Sequence, residues 1–168
     1  MSRKIEINID PNYEGEGLDI NFDDYGVLLY YAFTVNQEKS LLLYKATKSE
    51  YHYRRAYEIP LEGLNESNEE VYIPLSELPE LITFLKTEVI PSLEDLPKDL
   101  ELVESWNIGN SLDVFLYQKG SFFEKFHVDE DVTEGFTPEY LIELFSKYLN
   151  VFESANSNNV KYFVRINA

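Results

Sequence analysis

Nine consecutive residues, VLLYYAFTV at positions 27–35, carry no charge and, apart from Thr34, no strictly polar side chain. Whatever element forms there has to be covered on both sides, so the rest of the chain must build layers around it. The material is present. Of 168 residues 44% are hydrophobic and 15% aromatic, with 13 Tyr and 11 Phe. A folded chain of this length buries about 70% of the surface its unfolded form exposes. Such aromatic content excludes a disordered acidic tail. Read as β structure, the run predicts a central strand with both faces buried.

The flanking patterns extend that reading. Ile5, Ile7 and Ile9 alternate with Glu6, Asn8 and Asp10, and Leu18, Ile20 and Phe22 alternate with Asp19, Asn21 and Asp23. Period 2 predicts half-buried strands. Beyond a polar turn at residues 36–39, LLLYKAT (41–47) and YHYRRAYEI (51–59) continue as antiparallel strands. Residues 100–106, 111–118 and 121–128 predict three more, and VKYFVRI (160–166) the last.

Two segments change period. Ser76 reads as an N-cap ahead of Pro79, and Leu78, Leu81, Ile82, Leu85 and Val89 form one apolar stripe, with Pro91 as the stop. Thr137-Pro138-Glu139 opens a second helix with the stripe Leu141, Leu144, Phe145, Tyr148 and Phe152. The spacing predicts helices over 77–90 and 138–153. No Gly/Ser/Pro-rich linker interrupts the chain. The expectation is therefore one α+β domain over residues 1–168: a mostly antiparallel, meander-like sheet with two amphipathic helices packed on it. Both halves read as a meander ending in a helix, a plan that hints at a weak two-fold internal duplication, although the residues themselves do not repeat.

Charge is the strongest functional signal. The chain has 31 Asp and Glu against 14 Lys and Arg, a net charge of −17. The excess is even: 16 acids and 7 bases in residues 1–84, 15 and 7 in residues 85–168. A field of one sign over the whole chain opposes contact with nucleic-acid phosphates and anionic lipid, and favours basic partners. No run of 18 apolar residues predicts a membrane span, and MSRKIEINID has no apolar core of a secretory signal. Those readings give a cytoplasmic expectation.

The survey for chemistry is mostly negative. With no cysteine, a disulfide framework, a thiolate metal site and a cysteine nucleophile are excluded. His52 and His127 are the only histidines and lie on predicted strands, where a surface or hydrogen-bonded role is expected. No G-x-S-x-G elbow and no phosphate-cradling glycine motif occurs. Residues 129–135, DEDVTEG, resemble the start of a calcium loop, but neither register places Gly at position 6 and Glu at position 12. No catalytic residue, metal ligand or cofactor is assigned. The tyrosines and arginines of residues 51–57 could stack a single strand, but the overall charge opposes it, and cross-strand packing is the expected role.

What remains is clustered acid in predicted loops. Asp129, Glu130, Asp131 and Glu134 lie directly before the second helix. Asp23 and Asp24 precede the apolar run, and Glu66, Glu69 and Glu70 precede the first helix. Together with Tyr51 and Tyr53 as aromatic anchors, these are the candidate partner-binding residues, suited to a surface rich in Arg and Lys. In size, charge, aromatic content and lack of cysteine the chain is similar to two kinds of small acidic cytoplasmic protein. These are immunity proteins that neutralise a basic toxin domain, and phage-type DNA mimics that block DNA-binding proteins. The resemblance rests on composition, covers no motif and transfers no residue. It implies an inhibitor of a basic protein partner, a toxin domain ahead of a DNA-binding protein. The other classes are a carboxylate-based enzyme on a carbohydrate or small molecule, which needs two converging acids in a pocket, and a module with an exposed sheet edge at residues 5–9.

Overall fold

The computed structural model describes residues 4–9, 18–46, 75–102, 136–159 and 162–167. Strand β1 (Lys4–Ile9) and strand β2 (Leu18–Asn21) come first. Helices α1 (Phe22–Val35) and α2 (Gln37–Ala46) follow. A single 3₁₀ turn (Leu75–Glu77) leads into α3 (Leu78–Phe84), a π-helical turn (Leu85–Val89) and α4 (Ile90–Glu94), which run on as one rod. Helix α5 (Pro138–Asn158) is the longest element, and strand β3 (Tyr162–Asn167) closes the order.

The expected sheet-dominated α+β meander is therefore corrected: the described residues form a mostly helical fold, and their strands are three short ones. The correction turns on residues 22–46. The apolar run expected as a central strand is the body of α1, with Tyr25, Val27, Leu28, Leu29, Tyr30, Tyr31, Ala32 and Phe33 all buried. A run that is apolar on every side has no periodicity to separate strand from helix. A helix satisfies its own backbone hydrogen bonds, so it can be enclosed on all sides. Residues 41–46, also expected as strand, lie in α2. The polar turn expected at residues 36–39 is the start of α2 with Asn36 as its cap: Asn36 Oδ1 accepts from the Lys39 N–H at 3.0 Å. The Asn36 N–H in turn bonds the Ala32 carbonyl, so α1 passes into α2 with one residue between them. With two helices where the first half was read as meander, the hint of internal duplication loses its basis.

Residues 4–9, 18–21 and 162–167 are strands as expected, but Phe22 and Asp23 already belong to α1, and residues 100–102, the start of another expected strand, form none. β1 pairs antiparallel with β2 (Ile5 opposite Ile20, Ile7 opposite Leu18) and with β3 (Ile5 opposite Ile166, Ile7 opposite Val164, Ile9 opposite Tyr162). Ile5, Ile7 and Ile9 thus share register rows with apolar or aromatic partners, while Phe163 stands opposite Asn8, and Leu18 and Ile20 are buried. The order β2-β1-β3 places β1 in the centre, so residues 5–9 are not the exposed edge that their clean alternation suggested.

Helix α5 begins as its sequence announces. Thr137 is the N-cap, its side chain accepting from the Tyr140 N–H at 3.2 Å. The helix outlasts the expected end at 153 and stops at Asn159, whose φ of 50° is the left-handed conformation that asparagine tolerates at helix ends. The 78–94 rod departs more. Its N-cap is Glu77, with no side-chain capping bond, and Ser76 lies inside the 3₁₀ turn. Pro91 does not end it. In a regular α-helix the Pro91 ring would meet the carbonyl four residues back. Here the preceding turn is widened, with the Ile90 N–H bonding the Leu85 carbonyl five residues back. The widened turn makes room for the ring, and Pro91 sits in the first turn of α4, where its missing N–H costs least.

One apolar core joins these parts. Tyr25, Leu28, Leu29, Leu43, Phe84, Phe145, Tyr148 and Phe152 are its largest fully buried side chains. They come from α1, α2, α3 and α5. Helices α1 and α5 pack against each other and against the sheet, and α5 also packs along α3 and α4. The stripes expected on the rod and on α5 are the surfaces that meet. Leu78, Leu81, Leu85 and Val89 are buried, as are Leu141, Leu144, Phe145, Tyr148 and Phe152. At about 2 kcal/mol for each fully buried large apolar side chain, these stripes and the buried residues of α1 stabilise the described part together.

Candidate functional site

A polar grouping lies where α1 starts beside the first turns of α5. Asp24 sits in the first turn of α1, where a carboxylate is favoured by the helix dipole. It is half-buried, and its Oδ2 accepts a 2.9 Å hydrogen bond from the Tyr140 hydroxyl. Thr137 positions Tyr140 by capping that end of α5, and the Phe136 ring packs at 6.0 Å from the Tyr140 ring. Burial, the hydrogen bond to Asp24, the Asp24 charge and the Glu143 charge push the Tyr140 hydroxyl up to about 12.

Two turns further along α5, Tyr148 is fully buried, with its ring 6.4 Å from that of Tyr25 and 6.0 Å from that of Phe152. Its hydroxyl has no hydrogen-bond partner among the described residues. Burial first, then Tyr25 and Asp24, push its ionisation well above the ordinary tyrosine value. Asp24, Tyr25, Tyr140 and Tyr148 thus form a strip of one carboxylate and three phenols, of which Tyr140 and Tyr148 have their ionisation pushed upward. Such a strip ties α1 to α5. For proton transfer Tyr140 and Tyr148 are poorly matched, because both are moved away from neutral pH.

Sequence reasoning singled out Asp23 and Asp24 but neither Tyr140 nor Tyr148 as polar partners. The only signal for Tyr140 was its place three residues after the capping threonine. Tyr148 read simply as part of an apolar stripe. Of the other candidates, Asp129, Glu130, Asp131, Glu134, Glu66, Glu69, Glu70, Tyr51 and Tyr53 lie outside the described residues, as do His52 and His127. Asp23 lies in α1 next to Asp24.

Two groups of described acids stand out. Glu88, Glu143 and Glu153 have basic neighbours: Lys39 Nζ lies 2.6 Å from Glu88, Lys86 Nζ 2.9 Å from Glu153, and Lys147 Nζ 3.7 Å from Glu143. The first two pairs join α2 and α5 to the π turn and are half-exposed, worth about 0–1 kcal/mol each. The second set follows α4. Glu94, Asp95 and Asp99 are exposed and Glu101 half-exposed, with Leu100, 42% exposed, among them. Buried Leu93 and Leu102 anchor this segment at its two ends, and the Leu102 N–H bonds the Phe136 carbonyl at 3.1 Å.

Among the described residues no group of three or more His, Asp and Glu side chains could hold a metal ion. No helix there is long and apolar enough to cross a membrane. No protein-family model, no curated protein and no solved structure matches the chain.

Proposed function

We propose that this is an acidic cytoplasmic binding protein that neutralises a basic protein partner, acting as an immunity protein against a toxin domain. The observation that carries the reading is the net charge of −17, divided almost evenly between the two halves of the chain. A charge of that size raises the encounter rate with a cationic surface and discriminates against anionic ones. The segment 94–101 supports it, offering exposed carboxylates around an exposed leucine on a stretch pinned at both ends. Carboxylates suit bidentate pairing with arginine, and an apolar side chain among them suits a partner pocket that excludes water. Asp129, Glu130, Asp131 and Glu134 form the second surface to test, four acids in six residues.

The experiment is capture from the lysate of the native cell at low salt, with elution by salt. A basic toxin domain, inhibited by stoichiometric addition of this protein, supports the proposal. So does a reading frame for such a domain immediately upstream. Recovery of a DNA-binding protein that duplex DNA displaces would instead favour DNA mimicry. A partner as acidic as this chain, or one held equally well at all salt concentrations, overturns the electrostatic reading.

A further inference from the structure

We draw no further inference here: the strongest candidate, the acidic segment of residues 94–101 around exposed Leu100, belongs to the surface already proposed for partner binding, and no second observation points to a ligand there.

Discussion

The Tyr140 hydroxyl of α5 donates to Asp24 Oδ2 of α1 across 116 positions of sequence, at 2.9 Å. Hydrogen bonds to a charged acceptor are worth about 1.5–3 kcal/mol in proteins, and partial exposure places this one at the low end. Tyr140→Phe should therefore lower the unfolding free energy by about 1–2 kcal/mol while leaving the helical circular dichroism unchanged. Denaturant titration of the two proteins checks it. An unchanged midpoint would mean that water replaces the bond at no cost.

The same phenols set an alkaline limit on stability. Tyr140 and Tyr148 ionise at higher pH folded than unfolded. Between the ordinary tyrosine value and their folded values, the unfolded chain has released protons that the folded chain keeps. Stability must then fall as pH rises. The contribution is fully present below about pH 10 and for Tyr140 is lost by about 12. Unfolding free energies measured from pH 8 to 12 should decline over the upper part of that range. Tyr140→Phe should decline less steeply.

Tyr148 predicts the opposite kind of result. Its hydroxyl is buried with no partner among the described residues. An orphaned buried polar group costs about 1–3 kcal/mol. Tyr148→Phe keeps the ring contacts with Tyr25 and Phe152 and removes that cost, so the melting temperature should stay level or rise. A drop of several degrees would show that the hydroxyl is satisfied in solution.

The meeting of the rod and α5 is tested by charge. Leu81 is fully buried and Leu144 nearly so. Leu81→Asp or Leu144→Asp places an unpaired carboxylate in the core, a cost of several kcal/mol against a typical total stability of about 5–15 kcal/mol. Each variant should lose its cooperative thermal transition. Wild-type melting of both would remove these helices from the core.

For the proposed binding surface, replacing Glu94, Asp95 and Asp99, all exposed, together with Gln or Asn should leave stability within about 0.5 kcal/mol. Exposed charges act mainly on encounter, so association with the basic partner should slow, by roughly tenfold at low salt. Raising salt from 0.1 to 1 M shortens the screening length from about 10 to about 3 Å and should bring wild type and variant together. Stopped-flow association rates at several salt concentrations read both effects. The equivalent change at Asp129, Glu130, Asp131 and Glu134 is the parallel experiment.

Legibility in the sequence followed the distinctness of the pattern. Alternating Ile5, Ile7 and Ile9, and Leu18 and Ile20, determined strands and a shared apolar face. A capping Thr137 with an amphipathic stripe behind it determined where α5 starts and which side it buries. These are local signals, each read from residues a few positions apart. Residues 27–35 carried no such signal, because a uniformly apolar stretch suits any enclosed element. Only the packing of α1 between the sheet, α2 and α5 decided for helix. Pro91 was likewise ambiguous. Alone it ends a helix, and only a widened turn beside it, anchored in the core by Leu85 and Val89, lets the rod continue. The place of β1 at the centre of the sheet, and the meeting of Asp24 with Tyr140, also had to wait for the tertiary structure. Strand order and long-range side-chain contacts depend on which surfaces the folded chain brings together, and no periodicity along the chain encodes that.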